Sequence, residues 1–411
     1  MAVEKTQTDS LEERIQQRVG ARVRELRRTA GITAVVLAER TGISQGQLSK
    51  IENGKAALSV KVLARLCRVL DRSVGYLFQS VDEMPRVLGT LTTVKGPESI
   101  GIKWFAEEVR RLSGGTLALI PLRPSQIGSA TAQVDQLKEG FIDVFVEEQF
   151  YYDTIIPGFN AFALPYAFVS DSHRQAFLEG FFFRERLIEP LRQAGIHIIN
   201  RRWNWRRGLE WVLAANRPIV TPGDLRGLKV RIVDKPLVRR FWQALGARPV
   251  AVPWEEVGAA LRSGDIDVLP THKAHLYPLE FCRDARFVSL LGDLPPVLCV
   301  AVNETRYRTL RPDTQAALRE ACDRAGVFFS RHVRKAEAEN EALNIAQFKA
   351  AYIKVALDPW RTAVDRARAD LLAEELLDSA TVAAVAAAQH PGECKPQPCK
   401  GRRGSEPRRQ G

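Results

Sequence analysis

The chain has 411 residues, 45% of them hydrophobic and 26% charged, and a formal net charge of +12. A single hydrophobic core stops growing at roughly 250–300 residues, so this length predicts two or three domains. No stretch has the about 18–20 apolar residues of a membrane-spanning helix, and the N-terminus has no apolar signal core, so we expect a cytoplasmic protein with no membrane partner.

The positive charge is concentrated at the two ends of the chain. Residues 1–80 hold 14 Lys and Arg against 8 Asp and Glu, residues 392–411 hold 6 against 2, and the middle is nearly balanced. A basic N-terminal region suits a polyanionic partner such as nucleic acid. The six cysteines have no metal-ligand spacing, so we expect reduced thiols, no metal site and no cofactor.

Residues 13–80 carry the signals of five short helices, after a flexible start over residues 1–12. The first helix, 14–28, has an apolar residue every three or four positions and ends before Gly31. Serine and threonine N-caps open the other four, at Thr33, Ser44, Ser59 and Ser73. The second and third helices, joined by a tight turn at Gly42, predict a helix-turn-helix, whose second helix enters the DNA major groove.

The third-helix segment SQGQLSKIENGK (44–55) resembles the Xre/lambda-repressor family, and the resemblance extends over the whole N-terminal domain. It implies an outward row that contacts double-stranded DNA. In this family arrangement, DNA bases would be contacted by Gln45, Gln47 and Lys50. The phosphates would be contacted by Asn53, Lys55 and the start of the first helix, and Ser49 lies on the same face. The chemistry agrees, because glutamine amides suit adenine and lysine suits guanine acceptors.

Two positions depart from the repressor pattern. Ala34 stands where the family usually has a glutamine, and Gly46 costs the third helix roughly 0.8–1 kcal/mol relative to alanine. We therefore expect an altered sequence preference. The alternative interpretation of residues 13–80 is a helical protein-interaction module with a solvated basic face.

After a linker over 81–87, residues 88–390 alternate strands and helices. The segment 88–147 predicts a βαβαβ unit, with Glu147 and Glu148 at the carboxyl end of its third strand, where α/β sheets bind ligands. The same pattern returns over 228–270, so two α/β lobes and a cleft are expected. Arg231 lies near the end of a strand, shortly before Pro236 opens a helix, and its guanidinium can share an anion with the free N–H groups of that helix.

The segment RPIVTPGDLRGLKVRIVDKPLVRRFWQALGARPVAVPWEEVGAALRSGDID (217–267) resembles the DctP-type solute-binding proteins of TRAP transporters. The motifs GGTLALIPLRPSQIGSATAQVDQLKEGFIDV and ALPYAF extend the resemblance over most of 88–350. It implies a two-lobed periplasmic-binding-protein fold, in which Arg231 binds the ligand carboxylate and Trp254 lines the pocket. Long C-terminal helices would brace the lobes and could supply a homodimer surface.

Two ligand positions also depart from the family. Glu210 stands where a second arginine is usual, and Thr271 stands where an asparagine is common. An anion in place of a cation would repel a dicarboxylate, so an amino-bearing acid or another ligand with one anionic group is expected. A small shift in the alignment would instead bring Arg206 or Arg207 to the position of the family's second arginine.

Other patterns leave narrower alternatives. Residues 200–211 interleave tryptophans with arginines, as single-strand nucleic-acid platforms do, but the alternation favours a strand lining a lobe or the cleft. His272 and His275 could share a metal, although pocket-edge histidines fit better. Because no catalytic motif is present, an enzyme is not expected.

The sequence therefore predicts a multidomain protein. It has a five-helix DNA-binding domain, a two-lobed α/β solute-binding domain and a disordered basic tail over 391–411. Its expected function is that of a cytoplasmic, homodimeric transcription regulator that senses a small acid. The alternatives are a TRAP transporter binding protein with a fused helix-turn-helix and, more remotely, an enzyme acting on a carboxylic acid.

Overall fold

The computed structural model describes residues 2–56, 59–72, 77, 86–88, 96–122, 128–162, 164–294 and 297–389. Side chains are described from residue 16 onward, apart from those at 60 and 86–88. The predicted fifth helix apart from Leu77, the linker up to residue 85 and the basic tail lie outside these ranges. Within them, no helix combines the length and the apolar character needed to cross a membrane.

The N-terminal region is helical, and its caps agree with the sequence predictions. The described helices are α1 (Ala2–Thr29), α2 (Ala34–Thr41), α3 (Gln45–Glu52) and α4 (Val60–Leu70). Thr33, Ser44 and Ser59 each accept a backbone N–H at the start of α2, α3 and α4. Helix α1 begins twelve residues before the predicted start, because the segment 2–13 lacks glycine and proline and continues the helix instead of forming a flexible arm.

Helix α1 holds α3 in place through a buried ion pair and a close backbone contact. The guanidinium of Arg27 binds both carboxylate oxygens of Glu52, at 2.6 and 2.9 Å. Gly42 turns the chain between α2 and α3 with φ of 65°. Leu48 and Ile51 of α3 are buried in the domain core, so the opposite face of α3 is turned outward.

Glycine at position 20 permits this contact, because a Cβ there would lie 2.1 Å from the carbonyl oxygen of Ile51. We expect Gly20→Ala to lower the free energy of unfolding by about 1–3 kcal/mol. Gly46→Ala is the matched control, since its Cβ would meet nothing nearer than 4.0 Å, and it should add up to about 1 kcal/mol. Urea denaturation measures both, and equal effects of the two changes would contradict this packing.

The first lobe of the remaining chain contains two small sheets. Strand β1 (Arg86–Leu88) pairs parallel with β2 (Leu117–Leu119), with helix α5 (Glu98–Leu112) between them in sequence. Helix α6 (Ala130–Glu139) leads to β3 (Val144–Glu148). This strand lies in a second sheet with β4 (Ile196–Ile198) and β10 (Leu298–Asn303), in the order β3-β10-β4. The predicted continuous βαβαβ unit is therefore corrected, because β3 pairs antiparallel with the late strand β10 (Leu298–Asn303), whose six residues are all buried.

Between β3 and β5 the chain is mainly helical. It forms 3-10 turns over Gln149–Thr154 and Pro157–Phe162, helix α7 (Asp171–Glu179), a π-helical segment (Phe183–Ile188), helix α8 (Glu189–Gln193) and strand β4 (Ile196–Ile198).

The second lobe is built on a six-stranded sheet of order β11-β9-β5-β8-β6-β7. Its strands are β5 (Trp211–Ala215), β6 (Lys229–Ile232), β7 (Arg248–Ala251), β8 (Val268–His272), β9 (Phe287–Asp293) and β11 (Ala351–Lys354). Helices α9 (Pro236–Ala244) and α10 (Val257–Ser263) connect the parallel strands β6, β7 and β8, as predicted.

Long C-terminal helices cross both lobes. After the short helix α11 (Glu304–Arg308), helix α12 (Pro312–Phe348) packs on α5 in the first lobe and on the Lys273–His275 turn in the second. Helix α13 (Leu357–Ala373) packs on α9, and α14 (Ser379–Ala387) returns to the first lobe. These helices brace the two lobes, as the sequence predicted.

Candidate functional site

A cavity of about 580 Å³ lies between the lobes, within the range of small-molecule sites. Glu147 and Glu148 line it at the carboxyl end of β3, and Arg231 lines it from β6. Trp254 and Thr271 contribute from the second lobe. Five of the six predicted ligand residues therefore share one enclosed space.

Arg231 presents an available cation to this cavity. Its Nε donates to the carbonyl oxygen of Val252 at 3.0 Å, and its guanidinium carbon lies 5.3 Å from the centre of the Trp254 ring. Among the described residues, no carboxylate forms an ion pair with it. Burial lowers the pKa of Arg231, while Tyr151 and Glu255 oppose that effect, and an arginine stays protonated under such conditions. The terminal guanidinium nitrogens are thus free to bind an anion.

A second arginine in the cavity wall is fully engaged. Arg207 is buried and pairs with Glu98 at 2.7 Å, with Glu147 at 2.6 Å and with Glu148. His272 completes the group from the second lobe, with its Nε2 3.0 Å from Glu148. Three carboxylates around one guanidinium leave this cluster short of positive charge.

The pKa values in the cluster reflect competition between burial and charge. Burial alone would raise the pKa of Glu98, but the charges of His275 and Arg207 bring it below the usual range. For Glu148, burial is outweighed by the charge of Arg207 and by the hydrogen bond with His272, and its pKa is lowered to about 2. Burial lowers the pKa of His272 to about 4, so its imidazole is neutral at pH 7.

Among the polar contacts that join the lobes around the cavity are those of three second-lobe side chains. Two link histidines of the second lobe to first-lobe carboxylates: His272 to Glu148, and His275 to Glu98 at 2.8 Å. The third is made by Lys235, which donates to the Phe150 carbonyl oxygen at 3.0 Å and pairs with Asp153. The lobes are therefore held together on two sides of the cavity.

A different surface carries the predicted DNA-contacting row. The six predicted residues are all exposed: Gln45, Gln47, Ser49, Lys50, Asn53 and Lys55. The Asn53 amide donates to the Ser49 carbonyl oxygen at 2.8 Å, and its side-chain oxygen accepts from Arg24. The row lies on the outer face of α3 and along the turn that follows it.

Comparison with known proteins assigns both regions. Residues 23–77 match the helix-turn-helix family, and residues 88–375 match the family described as bacterial extracellular solute-binding protein, family 7. The chain belongs to family 7 of the bacterial extracellular solute-binding proteins. Both resemblances predicted from the sequence, to Xre-type helix-turn-helix domains and to DctP-type domains, are confirmed.

Relatives of this solute-binding domain are themselves binding proteins and not enzymes. The 2,3-diketo-L-gulonate-binding periplasmic protein YiaO of Escherichia coli is 26% identical over 275 residues, which are 67% of this chain and 81% of that protein. A TRAP periplasmic solute-binding protein from Roseobacter denitrificans, solved with bound β-D-glucuronate, is 22% identical with a TM-score of 0.65. The matched region covers 73% of this chain and 98% of the Roseobacter protein's chain. This structural similarity confirms the two-lobed fold.

One predicted ligand residue of the solute-binding domain does not line the cavity in the structure. Glu210 lies outside the residues that line the cavity, because its backbone oxygen accepts from Lys273 and its carboxylate accepts from the Gly292 backbone N–H at 2.8 Å. Arg207 enters the cavity wall instead, as the alternative register allowed, while Arg206 turns away to pair with Asp171. Thr271 is buried, and its hydroxyl oxygen lies 3.3 Å from Nδ1 of His275.

Sequence reasoning missed Glu98 and gave the two histidines too small a role. Glu98 is the first residue of α5, and its contact with His275 spans 177 positions of the chain. No local pattern marks such a pair. The sequence itself shows only an acidic residue at the start of a predicted helix, just before the apolar positions of 102–109, and it does not show that this residue is buried.

Proposed function

We propose that the solute-binding domain holds a small organic acid in its cavity, with the acid's carboxylate on Arg231. The observation that carries this proposal is a half-buried guanidinium that lines the cavity without a carboxylate partner among the described residues. A bidentate carboxylate would satisfy its two terminal nitrogens. The relatives support a ligand of this class, since YiaO is named for binding a sugar acid.

The N-terminal match supports a second part of the proposal, a ligand-responsive DNA-binding regulator that acts in the cytoplasm. The exposed row on α3 carries amide, hydroxyl and ammonium groups, which suit the contacts that a recognition helix makes with DNA. Over the larger domain, the comparisons favour the alternative of a TRAP transporter binding protein, because the named relatives are periplasmic. Cell fractionation separates the two: recovery of the protein outside the cytoplasm would exclude regulation.

A direct contact between the domains supports coupling of ligand and DNA. Phe141 packs against the apolar core of the N-terminal helices. It follows α6, whose first turn lines the ligand cavity at Ser129, Ala130 and Thr131. A helix of ten residues, about 15 Å long, therefore runs from the cavity to the DNA-binding domain. A ligand that shifts α6 would change how the N-terminal domain is held.

The DNA assignment predicts a loss of affinity in two single variants. Lys50→Ala and Gln45→Ala should each weaken binding to duplexes selected by the wild-type protein from a random pool, by about 1–3 kcal/mol. Fluorescence anisotropy at fixed salt measures this effect. Lys61→Ala removes another exposed charge, on α4, and should have little effect. Unchanged binding by both α3 variants would exclude α3 as the recognition helix.

Coupling predicts that an acid bound in the cavity changes DNA affinity, and that Phe141→Ala reduces this change at least threefold. The measurement is DNA affinity with and without the acid that gives the largest thermal shift, in wild type and variant. Phe181→Ala, which removes a ring that is 71% exposed, is the control. The same ligand effect in all three proteins would contradict transmission through Phe141.

A further inference from the structure

The ligand cavity has aromatic walls on both lobes. Trp211 and Trp242 of the second lobe stack with ring centroids 6.2 Å apart and planes 28° from parallel. Phe162 and Phe168 of the first lobe stack at 6.0 Å and 17°. All four rings line the cavity. Flat apolar surfaces contributed by both lobes favour a ligand with a flat apolar body.

The charges allow only one anionic group on the ligand. Three arginines line the cavity, but Arg207 is held by three carboxylates and Arg174 pairs with Asp171. This leaves Arg231 as the cation without a carboxylate partner among the described lining residues. The wall also contains acidic side chains that would repel a second anion: Glu147, Glu148, Asp234, Glu255 and Asp293.

We infer that the ligand is an aromatic monocarboxylic acid, with its carboxylate on Arg231 and its ring between the Trp211–Trp242 pair and the Phe162–Phe168 pair. This inference rests on the proposed carboxylate site and narrows it. It distinguishes this chain from relatives solved with sugar acids or succinate, such as those from Roseobacter denitrificans and Shewanella oneidensis.

Titration of the full chain, followed by calorimetry and by tryptophan fluorescence, tests the ligand class. The probes are 3-phenylpropionate, glucuronate, succinate and 3-phenylpropan-1-ol. We expect 3-phenylpropionate to bind at least tenfold more tightly than each of the other three. Tighter binding of glucuronate or succinate, lost in Arg231→Ala, would overturn the aromatic class and leave the carboxylate site intact. Absence of binding by all three acids would overturn both.

Two tryptophan variants test where the ring binds. Trp211→Ala should weaken 3-phenylpropionate binding at least fivefold while changing succinate binding less than twofold. Trp104→Ala is the matched control, because Trp104 is a half-buried ring stacked on Phe328 at 5.0 Å and lies outside the cavity lining. The thermal midpoint of Trp104→Ala shows how much the loss of a stacked tryptophan outside the cavity lowers the stability of the fold. Equal affinity losses in the two variants would contradict ring binding at Trp211.

Discussion

Arg231→Ala is expected to weaken binding of the acid at least about 30-fold. Removing one member of a desolvated charge pair costs about 2–5 kcal/mol, and 1.4 kcal/mol corresponds to tenfold in affinity. An acid at a hundredfold excess over its dissociation constant should stabilise the wild-type protein by about 2.7 kcal/mol. At the same concentration, the variant should gain less than about 1 kcal/mol. Thermal or urea denaturation with and without the acid measures the difference.

Two further variants locate the effect at the guanidinium of Arg231. Arg231→Lys keeps the charge but loses the planar fork that matches a carboxylate, so its affinity should fall between those of wild type and alanine variant. Arg226→Ala removes an exposed arginine outside the cavity and should leave the ligand-induced stabilisation unchanged. Equal stabilisation of wild type and Arg231→Ala by every acid would exclude Arg231 as the anchor.

Arg207→Met should lower the free energy of unfolding by about 3–5 kcal/mol, the largest stability effect that we predict. The change removes the cation and leaves Glu98, Glu147 and Glu148 buried together without it. Urea denaturation at pH 7 gives the loss as a lower midpoint. Arg206→Met is the matched control, because its ion pair with Asp171 is partly exposed and should be worth at most about 1 kcal/mol.

The pH dependence of this loss distinguishes charge from packing. Without Arg207, the buried carboxylates have folded-state pKa values above those of the unfolded chain, so their protonation favours folding at low pH. The stability difference between wild type and Arg207→Met should therefore shrink as the pH falls from 7 to 5. Neutralising a partner, as in Arg207→Met combined with Glu98→Gln, should recover part of the loss at pH 7. A difference that is constant with pH would point to lost packing instead.

The sequence predicted elements whose signals are local. Thr33, Ser44 and Ser59 precede apolar helical patterns and cap α2, α3 and α4 in the structure. Arg231 could be placed because it lies near the end of a strand that is followed closely by a proline-initiated helix. Both features depend on residues fewer than ten positions apart, where periodicity and capping chemistry are informative.

The sequence could not predict features that depend on distant pairing. The antiparallel pairing of β3 with β10 joins segments about 150 residues apart, and a buried strand has the same apolar pattern in either orientation. Glu210 seemed to face the ligand because it aligned with the family's second arginine. The bond of its carboxylate to Gly292 spans 82 residues and could not be seen. The carboxylate cluster around Arg207 is similarly assembled from four separate segments of the chain.

A crystal structure of the protein with a bound acid tests the ligand site most directly. We expect a carboxylate in the cavity between the lobes, with both oxygens within about 3.2 Å of the terminal guanidinium nitrogens of Arg231. An acid bound with its carboxylate away from Arg231, or with that guanidinium turned into bulk solvent, would contradict it.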